Sequence, residues 1–182
     1  YGTYGIHPHE AKNDKVTSKI IIDEISQNDK IIGISWRGGG RADRIRTKSP
    51  DPQDFISILR GLEGFTFVSL QYGPVAEDIK LFKSLGVDVH HDELIDPIKD
   101  MESWLNQVAA CDAVLSVANT TVHGSGGLDI PTMCLLSWRS DWRWFEEPDV
   151  KRSYWYPSVG IARASKTQRW VPALSAARHW LK

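Results

Sequence analysis

The chain has 182 residues, of which 41% are hydrophobic and 25% charged, and its formal net charge is −1 at pH 7. This size and balance are typical of one globular domain with one core. The near-zero charge argues against a general nucleic-acid binder, and no apolar run approaches the roughly 20 residues that span a membrane. No signal peptide is recognisable, and the two cysteines, Cys111 and Cys134, lie at a predicted helix end and in a predicted buried strand. We therefore expect free thiols and a cytoplasmic protein.

Predicted strands and helices alternate along most of the chain. Residues 1–30 form a leading segment, predicted to be helical over 15–27, and a single domain is expected over residues 31–182. Short runs rich in Ile, Val and Leu indicate buried strands, and apolar residues at helical spacing indicate helices. In chain order the predicted elements are strand 31–36, helix 52–62, strand 65–70, helix 75–85, strand 87–89, helix 102–111, strand 113–117, helix 120–128, strand 132–136, strand 159–162 and helix 168–181.

This order of elements predicts an α/β fold. Strands separated by helices imply βαβ crossovers, and therefore a doubly wound, mostly parallel Rossmann-like sheet with helices on both faces. Ligands of such sheets bind at the carboxyl ends of the strands, near the point where the strand order reverses. We therefore expect the loops after the first, second and fourth strands to converge on one cleft.

The turn after the fourth strand is the most informative stretch of the chain. It reads Asn-Thr-Thr-Val-His-Gly-Ser over residues 119–125 and starts a short helix. Unpaired amides and the positive end of the helix dipole favour a phosphate at such a position. Asn119 or Thr120 is the expected N-cap, and Thr121 and His123 can add side-chain donors. An ordinary, well-capped turn between a strand and a helix explains the same residues and is the alternative.

The loop after the first strand carries five cations and three consecutive glycines. Arg37 is nearest to the strand, and Arg46 and Lys48 lie further along the loop. Glycines let the backbone approach a ligand closely, and guanidinium groups bind phosphate oxygens. A flexible, solvated basic loop is the alternative. The glycine spacing does not match a G-x-G-x-x-G motif, so we expect no NAD site.

Further candidate ligand residues follow the second strand and open the helix before the fourth. Gln71 and Tyr72 end the second strand, with a plain turn as the alternative. Asp100 is predicted to be an N-cap, and Met101 is either a core residue or a polarizable contact for a nucleoside base. The run His-His-Asp-Glu at 90–93 is not expected to bind a metal, because neighbours on an extended segment point to opposite faces.

Tryptophans are concentrated after the fifth strand. Residues 138–144 read Trp-Arg-Ser-Asp-Trp-Arg-Trp, and residues 154–157 read Tyr-Trp-Tyr-Pro. A cluster of this kind attaches a long loop to its domain, covers a partner surface, or cradles a sugar or a base. We favour attachment of the loop, and self-association through it remains an alternative.

Several of these motifs together resemble one family. The sequence Ser-Val-Ala-Asn-Thr-Thr-Val-His at 116–123, followed by Gly126 and Ile-Pro at 130–131, resembles the donor-binding half of heptosyltransferase-like GT-B glycosyltransferases. It is most similar to the bacterial tetratricopeptide-linked proteins that carry such a domain. Supporting segments occur in the same order at 32–36, 69–74, 141–144 and 155–157. The similarity extends from residue 31 to the C-terminus.

The resemblance implies that the domain binds a nucleotide-diphospho-sugar, with no metal and no other cofactor. Gln71 and Met101 would approach the nucleoside. The donor diphosphate would be held by the residues of the helix-start motif, which are Asn119, Thr120, Thr121 and His123.

The resemblance also implies that side-chain cations replace Mg²⁺. Arg37, with Arg46 or Lys48, would neutralise the charge of the leaving group. In the family an N-terminal half supplies the acceptor site and usually the general base. Only about 30 residues precede the first strand, too few for such a half. We therefore expect hexosyl or heptosyl transfer only with a second domain, and the catalytic residues are unknown.

Two positions depart from the family pattern. Ala118 stands where the family commonly has aspartate, and Leu128 and Asp129 replace a pair of small residues before the proline. Loss of a carboxylate at the strand–helix corner weakens the geometry of the site, so a non-catalytic module acting in protein interaction is the alternative function. An epimerase acting on nucleotide-sugars would need catalytic carboxylates that nothing in the sequence singles out.

Overall fold

The computed structural model describes residues 29–40, 45, 47–144 and 150–182. The predicted leading helix and Arg46 lie outside these residues. No helix within these ranges is both long and apolar enough to cross a membrane. The described strands are β1 (Lys30–Ser35), β2 (Phe65–Ser69), β3 (Val89–His90), β4 (Ala113–Val117), β5 (Thr132–Leu136) and β6 (Val159–Arg163). The described α-helices are α1 (Pro52–Leu59), α2 (Ala76–Ser84), α3 (Met101–Ala109), α4 (Thr120–Gly127) and α5 (Val171–Leu181), and a 3₁₀ turn spans Trp142–Trp144.

All the strands of the sheet are parallel. Their order is β3-β2-β1-β4-β5-β6, so the order reverses between β1 and β4. Ser35 at the end of β1 lies opposite Ser116 of β4. The predicted doubly wound α/β fold is therefore confirmed, and the carboxyl ends of β1, β2 and β4 meet at one edge of the sheet.

Each face of the sheet has its own apolar core. Phe55 of α1 and Phe82 of α2 pack on one face together with α5. Trp104 of α3 packs on the other face, against Leu70 and Val114. Helices cover both faces because the inward sides of α1 and α3 are apolar while the strands are apolar on both sides.

The two cysteines are structural. Both Cys111 and Cys134 are free and buried, as predicted. Burial raises the pKa of the Cys111 thiol to about 12 and also raises that of Cys134. Neither side chain is therefore suited to act as a thiolate nucleophile.

Most element boundaries differ from the prediction by one to three residues, and two of these differences have a visible cause. Helix α5 begins only after Arg169, because the φ of +52° at that residue is a left-handed conformation that a helix cannot continue through. Strand β3 begins two residues later than predicted, because the Val87 amide donates to the Phe82 carbonyl and closes the end of α2. Strands β4 and β5 agree with the prediction residue for residue.

Close packing of α4 on α3 depends on Gly124. A Cβ atom there would lie 2.8 Å from the ring of Trp104, which is only 2% exposed. Gly124→Ala should therefore lower the free energy of unfolding by roughly 1–3 kcal/mol, as measured by chemical denaturation. Gly127→Ala in the same helix is the control, because nothing lies within 4 Å of its added Cβ. The control should be neutral or stabilising by up to about 1 kcal/mol, and equal losses in both variants would contradict the packing argument.

Candidate functional site

Gln71 fixes the loop that follows β1. Its Oε1 accepts hydrogen bonds from the amides of Trp36 (3.0 Å) and Arg37 (2.9 Å) and from the Ser35 hydroxyl (3.1 Å). Its Nε2 donates to the carbonyls of Arg37 (3.2 Å) and Tyr72 (3.3 Å). The residue is 3% exposed. This geometry supports a positioning role for Gln71 and gives no support to the expected contact with a nucleoside.

Asn119 joins the start of α4 to the same loop. Its Oδ1 accepts from the Thr121 amide at 2.9 Å, which confirms Asn119 as the N-cap. Its Nδ2 donates to the Ser35 hydroxyl at 2.7 Å and to the Arg37 carbonyl at 3.1 Å. We call the connected side chains Gln71, Ser35, Asn119 and Ser116 the amide clasp, since the Ser116 hydroxyl also donates to Asn119 at 3.1 Å. The loops after β1, β2 and β4 therefore converge, as predicted.

The two threonines of the motif have different environments. Thr120 is exposed at the first residue of α4, so a ligand in the cleft could reach its hydroxyl. Thr121 is fully buried, and its Oγ1 has no hydrogen-bond partner. Of this pair, only Thr120 is placed to donate directly to a ligand without a rearrangement of α4.

His123 of α4 packs against two aromatic side chains, Tyr156 and Trp144, which we call the aromatic wall. Its Nδ1 is 3.1 Å from the Tyr156 hydroxyl, and its ring stacks on Trp144 with centroids 5.6 Å apart. Partial burial lowers the pKa of His123 below the ordinary 6.5, and the positive charge of Arg143 lowers it further, against an opposing effect of Asp141. The imidazole is therefore neutral near pH 7, at the end of a helix that attracts anions.

Arg37 is already engaged with a carboxylate. Its guanidinium forms an ion pair with Asp78 of α2 at 2.6 Å and donates to the Pro74 carbonyl. The pair lines a cleft of about 740 Å³ between the β1 loop, the start of α1 and Trp170. The expected role of Arg37 as a phosphate ligand would therefore require the pair with Asp78 to open.

Two glycines of the loop after β1 are required by the packing and the backbone conformation of the loop itself. A Cβ atom at Gly39 would collide with the Tyr72 hydroxyl, and Gly40 has a φ of +113°. Burial raises the pKa of Tyr72, although the charge of Arg37 partly opposes this. Close packing on Tyr72 accounts for Gly39, and the left-handed backbone accounts for Gly40, in both cases without a ligand.

Lys48 reaches the corner where β4 ends. It lines a small hollow together with Ala118, Ser137, Arg139 and Asp141. Trp144, which stacks on His123, forms another part of the wall. The hollow therefore brings two cations to the side of the α4 start. Arg139 was not among the predicted site residues, although it follows β5 by three residues and so had to lie at this edge of the sheet.

Met101 is the first residue of α3 and is 47% exposed. Asp100 caps this helix as predicted, since it accepts from the Ser103 amide at 3.0 Å. One turn further, the Trp104 indole donates to the Leu70 carbonyl at 3.3 Å and holds the helix start against the end of β2. Met101 therefore lies exposed at the carboxyl edge of the sheet and is not a core residue.

Among the described residues, no group of three or more histidine, cysteine, aspartate or glutamate side chains could hold a metal ion. The run at 90–93 begins at the last residue of β3 and continues into the loop.

The tryptophan-rich loop is attached through some of its aromatic residues only. Trp144 is 2% exposed and packs with Val122, Cys134 and the partly buried Tyr156. The aromatic residues that remain exposed are Trp138, Trp142, Tyr154 and Trp155. Attachment of the loop thus accounts for Trp144 and Tyr156, and the exposed residues need another explanation.

Comparison with known proteins adds a relative and several solved structures. No family model matches the chain. Protein FlbA of Caulobacter vibrioides is 31% identical over 144 residues, which cover 79% of this chain but 23% of FlbA. The chain therefore spans about a quarter of the length of that relative.

The solved structures are similar in fold at low sequence identity. Escherichia coli ADP-heptose LPS heptosyltransferase II superposes with a TM-score of 0.64 at 14% identity, covering 93% of this chain and 51% of that one. Escherichia coli heptosyltransferase WaaC with ADP gives 0.58 at 14% identity, with coverages of 90% and 47%. A glycosyl transferase family 9 protein of Veillonella parvula gives 0.52 at 16% identity, with coverages of 86% and 40%. The chain therefore has a Rossmann-like fold shared with glycosyltransferases and spans about half of such an enzyme, or less.

Proposed function

We propose that this domain binds a nucleotide-diphospho-sugar at the start of α4, as the donor-binding part of a metal-independent GT-B glycosyltransferase of the heptosyltransferase-like, tetratricopeptide-linked type. The observation that carries the proposal is the amide clasp, which fixes the start of α4 at the reversal point of the sheet. Ligands of doubly wound sheets bind at that point. Two of the similar structures are named for ADP or ADP-heptose, which fits a ligand of this class.

In the proposed complex the diphosphate lies against the first turn of α4. The Thr120 hydroxyl donates to it at the positive end of the helix dipole, and His123 contacts it from the aromatic wall. Lys48 and Arg139 supply the positive charge that Mg²⁺ supplies in other phosphate sites. Asn119 and Gln71 hold these groups in position, and Met101 lies under the nucleoside. A role for Arg46 stays a prediction.

In this proposal the domain binds the donor but does not supply the general base that glycosyl transfer needs. A glycosyl acceptor must lose a proton as the new bond forms, which requires a general base near its hydroxyl. Ala118 carries no carboxylate at the strand–helix corner, and in the proposal the base comes from a second domain. We therefore propose hexosyl or heptosyl transfer only for the domain combined with such a partner domain, with donor binding as the property of the domain itself.

The direct test is a thermal-shift screen with nucleoside diphosphates, CMP and their sugar conjugates, followed by calorimetry on the best ligand. We expect a saturable rise in the melting temperature, because a ligand that binds only the native state stabilises it. The rise should be the same in EDTA and in excess Mg²⁺. The absence of any shift across the screen would refute nucleotide-sugar binding, and a shift seen only with Mg²⁺ would refute metal independence.

The pKa of His123 gives an independent check on the location of the ligand. A phosphate beside the imidazole should raise its lowered pKa, so binding of the best nucleotide-sugar should take up protons as the pH falls below about 6.5. Proton uptake is measured by calorimetry in two buffers with different ionisation enthalpies. His123→Gln is the control and should show none. Equal uptake by both proteins would place the ligand away from His123.

A non-catalytic interaction module is the second candidate function, and the exposed aromatic residues favour it. The indole of Trp155 donates to the Arg143 carbonyl at 3.1 Å, and the Arg143 guanidinium lies over Trp142. Light scattering should then show self-association that is lost in the double variant Trp142→Ala, Trp155→Ala. Trp144 is unsuitable for this test, because its buried side chain supports the loop. A monomer at all accessible concentrations would argue against self-association.

A further inference from the structure

A second cleft lies beyond the carboxyl ends of β5 and β6. Its volume is about 770 Å³, and its lining includes Trp138, Arg139, Arg163 and Lys166. Arg139 also lines the hollow beside Ala118, so this cleft adjoins the proposed diphosphate site. Its other lining residues take no part in the proposed function, and a cleft of this size can hold a small ligand.

Trp138 presents an accessible indole between positive charges. The side chain is 44% exposed, with the Arg139 guanidinium carbon 4.9 Å and the Lys166 ammonium 5.7 Å from its ring centroid. In the part of the chain that the structure describes, neither cation forms an ion pair with a carboxylate. Two positive charges that converge on one recess attract an anion.

Arg163 adds a third cation that is held in a fixed position. This last residue of β6 donates from its guanidinium to the Ser140 hydroxyl at 2.6 Å and to the Trp144 carbonyl at 2.8 Å. A side chain that is already ordered loses little entropy when a ligand binds next to it. The cleft therefore combines one hydrogen-bonded cation with two exposed cations and an indole ring.

We propose that this cleft binds a carbohydrate ring that carries a carboxylate or a phosphate. The ring would pack against the part of the Trp138 indole that Arg139 and Lys166 leave exposed, and these two side chains would hold the anionic group. The proposed ligand needs both a ring and an anionic group. The cations would attract any anion, and contact with the indole would favour an anion that is attached to a ring. The cleft shares Arg139 and Ser140 with the hollow beside Ala118.

The test follows the indole N–H signal of Trp138 by NMR, with the signal assigned by its loss in Trp138→Phe. The probes are glucuronate, glucose 6-phosphate, glucose and inorganic phosphate. We expect one or both sugar anions to shift the signal saturably, with a dissociation constant of about 1 mM or lower. Glucose and inorganic phosphate should each bind at least about tenfold more weakly. The comparison of the two sugar anions tells whether the cleft takes a carboxylate or a phosphate.

Variants separate this site from the nucleotide site. Lys166→Ala should weaken binding of the sugar anion about fivefold. The control is Lys83→Ala, which removes an exposed lysine of α2 far along the chain and should leave this binding unchanged. Nucleoside diphosphate binding should be equal in both variants. The proposal is overturned if no probe moves the signal, or if glucose or inorganic phosphate binds as tightly as the sugar anions. Loss of nucleoside diphosphate binding in Lys166→Ala would also overturn it, because the cleft would then belong to the nucleotide site.

Discussion

Asn119→Ala should weaken nucleotide binding about 100-fold and lower the free energy of unfolding by roughly 2–3 kcal/mol. The stability loss has two sources. One is the N-cap of α4, worth about 1 kcal/mol, and the other is the pair of hydrogen bonds to Ser35 and the Arg37 carbonyl, worth about 1 kcal/mol each. Binding falls because the helix amides are no longer held towards the loop that follows β1. Calorimetry with the best ligand and chemical denaturation measure the two effects.

Asp51→Ala is the matched control for the cap. Asp51 caps α1 by accepting from the Gln53 amide at 2.9 Å, but it does not join that helix to a loop of the proposed site. Its replacement should lower the free energy of unfolding by about 1 kcal/mol and leave nucleotide binding unchanged. If Asn119→Ala loses no more stability than Asp51→Ala and keeps its affinity, the amide clasp has no part in ligand binding.

Local features of the fold could be predicted because neighbouring residues determine them. The apolar runs of β4 and β5 predict both strands to the residue. A short polar side chain before each helix predicts Asp100 as one cap and leaves Asn119 and Thr120 as candidates for the other, of which the structure selects Asn119. Alternating strands and helices sufficed for the parallel sheet, since parallel neighbours require crossovers. Convergence of the loops after β1, β2 and β4 followed from the same topology.

Pairing between distant side chains could not be predicted in this way. The partner of Arg37 is Asp78, 41 residues away on α2, and a local pattern gives no indication that the guanidinium is already neutralised. Gln71 has the right position at the end of β2, but the amides of the β1 loop occupy its side chain. Arg139 is a different case, because it lies three residues after β5 while the tryptophans around it predict an aromatic loop and not a ligand site.

These differences change which cations matter in the proposed site. The sequence favours Arg37 as the phosphate ligand, yet Asp78 compensates its charge. The sequence favours Lys48 less for that role, yet Lys48 lies at the corner where β4 ends and α4 begins. In the described residues Lys48 forms no ion pair within 4.0 Å. A cation next to a helix start that pairs with no carboxylate among the described residues is the better candidate for a phosphate contact.

Lys48→Ala should therefore weaken binding of the best nucleotide roughly ten- to a hundredfold, the range for loss of one hydrogen bond to a charged group. Arg37→Ala should have a smaller direct effect on the affinity, because its charge is already used within the protein. The affinity of the unmodified protein should fall as salt is added, and this dependence should be shallower in Lys48→Ala, since one charge contact is missing.

Charge and shape at position 48 can be separated by a conservative replacement. Lys48→Arg keeps the positive charge on a long side chain and should restore most of the affinity, although a planar fork does not reproduce the point charge of an ammonium group. Lys83→Ala removes an exposed lysine from α2 and should leave both the affinity and its salt dependence unchanged. If Lys48→Ala binds the nucleotide as the unmodified protein does, the diphosphate does not contact this corner. The replacement of Mg²⁺ by side-chain cations would then have to depend on Arg139 or on opening of the Arg37–Asp78 pair.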